Sequence, residues 1–177
     1  LRGVHNLQNA LAAVSVCVAL GISMPSIEEG IKAFKPLPHR LQLVDKKENI
    51  PFYNDSLATT PESAVAALRA FDKPIVLIAG GYDKQVDLNS FAYEMTRQCK
   101  FVLLIGETAD TISIELDQYN YLSYEIFDTI EDAFARAVEQ AEEGDIILLS
   151  PGCASYGMFC NFAERGERFV ELVDGLT

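Results

Sequence analysis

Three short stretches concentrate the residues that could do chemistry. Ser150-Pro151-Gly152-Cys153-Ala154-Ser155-Tyr156 gathers hydroxyls and small side chains directly after an apolar run. Small residues let a ligand approach the backbone. Ser155 and the N–H groups near it could then hold a carboxylate at the start of the last helix; the alternative is a plain tight turn. Gly80-Gly81-Tyr82-Asp83-Lys84 also follows an apolar run. The glycine pair permits a sharp turn, and Lys84 then stands as a point charge suited to carboxylate or phosphate, unless it is a solvated lysine paired with Asp83 or Asp87. In Asn54-Asp55-Ser56-Leu57-Ala58-Thr59-Thr60, Thr60 fits a helix N-cap ahead of Pro61, which leaves Thr59 free to face a crevice. Alternatively Thr59 is the cap, in a capping box with Glu62.

Two further sets stand apart from these loops. His39 and Arg40 follow two prolines in Lys35-Pro36-Leu37-Pro38 and could reach a ligand in an interdomain cleft, or form a solvated hinge. His5, Asn6 and Asn9 make a polar cluster at a helix start, with Asn6 and Asn9 one turn apart; simple capping would also explain them. Phe159 and Phe162 read as core by default. The acidic run Glu139, Glu142, Glu143 and Asp145 reads as a solvated helix end. No GxxxxGK(S/T), GxGxxG or GxSxG motif occurs, and two histidines without HxxxH spacing leave no protein-only metal site. The four cysteines have no CxxC spacing, and Cys17 and Cys99 fall in stretches read as apolar helix, which argues for a reduced, cytoplasmic protein without metal or redox chemistry at sulfur.

Elements that could position these loops are legible from periodicity. Apolar residues at helical spacing predict a helix over His5–Leu20, stopped by Gly21, and a second over Ser26–Phe34 with Ser26 as N-cap and Glu28 and Glu29 in its first turn. After the proline segment, Leu41–Val44 and Pro51–Tyr53 read as strands around a polar turn. Strands Ile75–Ala79, Phe101–Ile105, Ser123–Phe127 and Ile146–Leu149 then alternate with helices Glu62–Phe71, Leu88–Cys99, Glu107–Leu116 and Ile130–Glu142, and a last helix covers Met158–Val173. Continuous apolar strands alternating with helices predict an α/β fold with a doubly wound, mostly parallel, Rossmann-like sheet. Ligands of such sheets sit beyond the carboxyl ends of the strands, which is where the three loops and Gly106-Glu107-Thr108 fall. The 177 residues are 49% apolar and carry a net charge of −12, which opposes nucleic acid and anionic membranes. No apolar run reaches the roughly 18 residues of a membrane span.

The segments HNLQN, LPHRLQLV, YNDSLATTPESAVAAL, LIAGGYDK, GE and LLSPGCASYGMFCNFAERGERF together resemble the Mur ligases over essentially the whole chain. HN..N and PHR are widespread in that family, whereas NDS.AT and SPGCAS with NF..RG.RF point to its glutamate-adding branch. The resemblance implies that residues 1–36 end an ATP-binding middle domain and that residues 37–177 form a complete C-terminal glutamate-binding domain. It implies ATP and Mg2+ as cofactors, the metal ligands lying upstream. ATP phosphorylates the carboxylate of UDP-N-acetylmuramoyl-L-alanine, and the amine of D-glutamate attacks the acyl phosphate to give an amide in peptidoglycan-precursor synthesis.

The same resemblance assigns residues. Asn6 and Asn9 face the adenine, Arg40 and Asp55 the ribose and phosphates, and His39 the reacting phosphate and incoming amine. Thr59, Lys84, Ser155, the backbone at Tyr156 and Phe162 hold the two glutamate carboxylates. A sister Mur or folylpolyglutamate synthetase-like ligase would share the fold, although the SPGCAS loop argues against it; Leu57 stands where the family pattern often has lysine, so an L-glutamate-adding variant stays open. So does a non-catalytic module that binds an anionic metabolite. The expected partners are the substrates and upstream domains of the same chain, with no nucleic acid or membrane, and the isolated chain is expected to lack turnover.

Overall fold

The computed structural model describes residues 3–176. The side chains of residues 4 and 5, and with them His5 of the expected polar cluster, lie outside what is described. Helix α1 (Val4–Ala19) ends where Gly21, at φ 75°, donates to Val18 O and Ile22 donates to Cys17 O, both at 3.0 Å. This paired closure needs the left-handed conformation that glycine adopts without penalty. Helix α2 (Met24–Ala33) begins earlier than expected: Ser23, not Ser26, is the N-cap, with its Oγ accepting from Ser26 N, and no acid lies in the first turn. Pro25 near the helix start explains the shift, because its missing N–H costs nothing there.

Strands β1 (Gln42–Lys47) and β2 (Ile50–Asn54) form an antiparallel hairpin. Helix α3 (Pro61–Leu68) follows, capped by Thr60 Oγ1. The alternation continues through β3 (Ile75–Gly80), α4 (Asn89–Gln98), β4 (Cys99–Ile105), α5 (Ala109–Gln118), β5 (Tyr124–Phe127), α6 (Ile130–Gln140), β6 (Ile146–Leu149) and α7 (Phe162–Asp174). The six-stranded sheet has the order β1-β2-β6-β3-β4-β5, and every pairing except β1–β2 is parallel.

Side chains along each inner strand alternate between two cores. Ile75, Leu77 and Ala79 of β3 join Leu68, Phe91, Met95 and Ile112 of α3, α4 and α5, while Val76 and Ile78 join Phe134 of α6 and Phe169 and Val173 of α7. Helices on both faces bury every residue of β3 and β6, which is why these strands read as unbroken apolar runs. Each buried Ile, Val or Leu side chain among them stabilises the fold by about 1.5–3 kcal/mol. Among the described residues no helix is long and apolar enough to cross a membrane.

Several expectations need correction. Cys99 opens β4 and is not helical. Asp145 is not part of a solvated helix end: it is buried and accepts from Lys100 Nζ at 2.8 Å. The last helix starts at Phe162, not Met158, because Gly157 turns at φ 83° and Asn161 Oδ1 caps Glu164 N at 2.9 Å. Ser155 is therefore in a loop seven residues before α7 and not at a helix N-terminus.

Candidate functional site

Beyond the carboxyl ends of the strands, the loops are stitched to one another by backbone hydrogen bonds. Gly152 N donates to Ala58 O at 2.9 Å, joining the loop after β6 to the loop after β2. Gly80 N donates to Pro151 O and Tyr82 N to Ala154 O, both at 2.8 Å, joining β6 to β3. Thr108 closes the series on the β4 side: its N–H donates to Gly81 O, and its Oγ1 accepts from Gly81 N, at 3.0 Å in each case. The glycine pair is required by this crowding. A Cβ on Gly80 would stand 2.2 Å from Ile105 O, and one on Gly81 the same distance from Ala154 O. Thr59, Lys84 and Ser155 thus sit on loops that share one rim. Thr59 is half-buried and free of the capping role, which Thr60 takes. Ser155 is buried, and exposed Tyr156 sets its ring edge-on to Tyr82 at 5.8 Å. Lys84 is exposed and forms no ion pair with Asp83, Asp87 or any other described acid.

Beneath the rim lies Arg165, 1% exposed and with no carboxylate partner among the described residues. Its guanidinium donates to Ser56 Oγ (3.0 Å) and Ser56 O (3.0 Å), and from two nitrogens to Cys153 O (3.2 Å). One fork thereby ties α7 to the loops after β2 and β6. Burial disfavours the charge and pushes the Arg165 pKa down to about 10. Ser56 Oγ in turn donates to Phe162 O at 2.7 Å.

Asp55 is buried beside this knot, accepting from Ser150 Oγ at 2.8 Å and Leu41 N at 3.0 Å. Burial raises its pKa to about 6, against the opposing pull of those two donors and of the Arg40 charge. His39, half-buried at φ 61°, sets its ring edge-on to that of Phe162, with centroids 6.3 Å apart, and Phe162 is itself partly exposed. The Cys153 thiol is held above its ordinary pKa by burial and that of Cys160 by Glu164, so neither is an activated nucleophile.

Two cavities meet at Arg40. A mostly apolar groove of about 730 Å³ between α1 and α2 is lined by Asn6, Asn9, Ile27, Phe34, Leu37 and Arg40. A smaller one of about 220 Å³ is lined by Arg40, Asp55, Leu57, Ala58 and Ser63. The first pairs an apolar lining with two amide side chains, which could face a heterocyclic base; the second brings the guanidinium and the buried carboxyl together. Among the described residues no group of three or more His, Cys, Asp or Glu side chains is placed to hold a metal ion.

Sequence reading quoted Asn54, Arg165 and Gly166 inside the NDS.AT and NF..RG.RF motifs but assigned them no role. For Arg165 a signal existed. It shares the i, i+4 stripe of Phe169 and Val173, so a charged residue was written onto the buried face of a helix.

A family described as "Mur ligase, glutamate ligase domain" matches residues 39–153. UDP-N-acetylmuramoylalanine--D-glutamate ligase of Caldicellulosiruptor bescii is 44% identical over 99% of this chain and 38% of that protein. The protein of the same name from Caldanaerobacter subterraneus subsp. tengcongensis is 45% identical over 98% of this chain and 39% of its own length. The chain thus spans about two fifths of the length of these curated relatives. Among solved structures, Mycobacterium tuberculosis folylpolyglutamate synthase, complexed with ADP and AMPPCP, superposes with a TM-score of 0.71 at 16% identity, over 100% of this chain and 41% of that one. That likeness shows the shared fold. With its parallel sheet, its stitched rim and the match over residues 39–153, the chain belongs to the Mur ligase family, through the glutamate ligase domain.

Proposed function

We propose that the chain is the glutamate-binding end of an ATP-dependent ligase that joins D-glutamate to UDP-N-acetylmuramoyl-L-alanine. Residues 1–36 belong to the nucleotide-binding middle domain and residues 37–177 to the C-terminal domain. The observation that carries the reading is that, in a chain of net charge −12, Lys84 at the rim forms no ion pair among the described residues, and Arg40, also without one, has only the buried Asp55 carboxyl near it. Their charge is left for an anionic ligand. The names of the relatives supply its identity.

In this reading Asn6 and Asn9 take the adenine side of the nucleotide, Arg40 and Asp55 its ribose and phosphates. Bound ATP supplies the phosphoryl group that activates the substrate carboxylate. Thr59, Lys84, Ser155, the Tyr156 backbone and Phe162 hold glutamate through its two carboxylates, and His39 stands near the reacting phosphate and the incoming amine. Fixing that amine against the activated carboxyl contributes up to about 7–11 kcal/mol through orientation. Closure onto the rest of the enzyme excludes water from a hydrolysable intermediate. Mg2+ ligands come from chain outside residues 3–176. The nucleotide-linked substrate places the reaction in the cytoplasm.

Phosphate release by the full-length protein, assayed with ATP, the UDP-linked acid and D-glutamate, L-glutamate or meso-diaminopimelate in parallel, tests the reading. D-glutamate alone should support turnover. Lys84→Ala should raise the glutamate KM sharply and leave the ATP KM unchanged; equal effects on both would sink the assignment.

A further inference from the structure

The proposed chemistry leaves Asn54 without a role, although it is the fully buried last residue of β2, at the carboxyl end of that strand. Its amide orientation is determined from both ends. Oδ1 accepts from Ser56 N at 3.1 Å, and Nδ2 donates to the Gly166 carbonyl at 2.9 Å. A backbone N–H cannot accept and a carbonyl cannot donate, so the amide cannot be reversed. The same Nδ2 lies 3.0 Å from His39 Nδ1. Since Nδ2 only donates, Nδ1 must accept, and the ring proton belongs on Nε2.

The rest of the surroundings holds the ring in that place. His39 N donates to Gln42 Oε1 at 2.8 Å, and His39 O accepts from Leu57 N at 3.0 Å. Helix α7 lets the imidazole in only because position 166 is glycine: a Cβ there would stand 2.3 Å from Nδ1. Nε2 has no partner among the described residues, yet no buried side-chain nitrogen or oxygen among them lacks one. Nε2 therefore opens onto the solvent side of the rim.

We infer that Asn54, with Gly166 beside it, is a positioning residue that locks His39 as the Nε2–H tautomer. His39 then serves the reaction as a hydrogen-bond donor to a phosphoryl or tetrahedral-centre oxygen and not as the base that takes the amine's proton. The lock stands on the geometry alone; the donor role rests on the ligase reading above.

The decisive measurement is long-range 1H–15N correlation of the histidine rings in the 15N-labelled full-length protein, combined with steady-state kinetics. The His39 ring should show a pyridine-type Nδ1 and a protonated Nε2, and Asn54→Asp should invert that pattern, because a carboxylate accepts a proton from Nδ1. Asn54→Ala should lower kcat on the order of 10- to 100-fold, the worth of one hydrogen bond to a charged group, with both KM values nearly unchanged. His39→Gln, whose amide N–H can stand in for Nε2–H but cannot act as a base, should retain at least tenfold more turnover than His39→Ala. A wild-type ring protonated at Nδ1 overturns the lock whatever the protein catalyses. Equal turnover of His39→Gln and His39→Ala overturns the donor role. The expected tautomer in a protein that releases no glutamate-dependent phosphate leaves the lock standing and removes the ligase reading. If Asn54→Ala does not fold, the wild-type spectrum and the His39 pair still decide.

Discussion

At the amino ends of β3 and β4 the cations close on acids: Arg69 Nη2 lies 2.6 Å from Glu94, and Lys100 Nζ lies 2.8 Å from Asp145 and 2.9 Å from Glu142. At the carboxyl ends Arg40, Lys84 and Arg165 have no such partner among the described residues. The titration shifts follow the same division. Arg69 holds the Glu94 carboxyl below its ordinary value, and Asp145 holds the Lys100 ammonium above its own. Both pairs favour the charged forms. At the rim, burial pushes Asp55 up to about 6 and Arg165 down to about 10, so both are driven toward neutrality. One end of the sheet satisfies its charges internally. The other leaves Lys84 and Arg40 without an ion pair among the described residues and holds Asp55 and Arg165 desolvated with hydrogen bonds alone, a setting in which an anionic ligand would find unpaired cations.

The largest effect that tests this contrast is expected at Arg165. Arg165→Met leaves the buried Ser56 and Cys153 carbonyls without their donors and should cost about 3–5 kcal/mol of stability in urea unfolding. Arg69→Met removes an exposed guanidinium but strands the buried Glu94 carboxylate, so it too should lower the midpoint; Arg168→Met, whose partners Glu131 and Glu171 are both exposed, should move it far less. Equal shifts for Arg165→Met and Arg168→Met would break the contrast.

Next comes pH. The folded Asp55 pKa, about 6, exceeds its unfolded value of 3.8, so the folded state binds more protons between those values and stability falls as pH rises through that window. The loss is about 3 kcal/mol, on the order of 1.4 kcal/mol for each pH unit of the difference. Asp55→Asn keeps a donor and an acceptor facing Leu41 N and Ser150 Oγ. It should match the parent near pH 4 and exceed it in stability at pH 8, even as it damages the proposed nucleotide contact. Glu94→Gln should behave in the opposite sense. Because the folded Glu94 carboxyl is lowered below 4.5, its stabilisation is present above that value and lost on acidification, so the variant should be weaker than the parent at neutral pH and converge with it as pH falls. Parallel pH–stability curves for the two variants would refute the division. Lys84→Ala should give the smallest stability effect: the side chain is exposed and bonded to nothing described, so the urea midpoint should stay in place while the glutamate KM rises.

Much of this architecture could be read from residue types. IVLIAG and IILL are buried on both faces because helices cover both, and Thr60-Pro61 states a helix start in two letters. The start of α7 misled, because Met158 and Phe159 stand at helical spacing from Phe162, while the decisive features are the left-handed Gly157 and the Asn161 cap. Asp145 misled for another reason. A string of acids looks solvated until a distant lysine reaches one of them.

The sequence alone determined the strand and helix alternation, the position of the loops beyond the carboxyl ends of the strands and the family, since these depend on local pattern and on chain order. Only the tertiary structure decided that Asn54, His39 and Gly166 meet, and that Arg165 spans Ser56 and Cys153. Those contacts join residues 15, 112 and 109 positions apart, and hydrogen-bond direction depends on where donors and acceptors lie in space, which no residue spacing encodes.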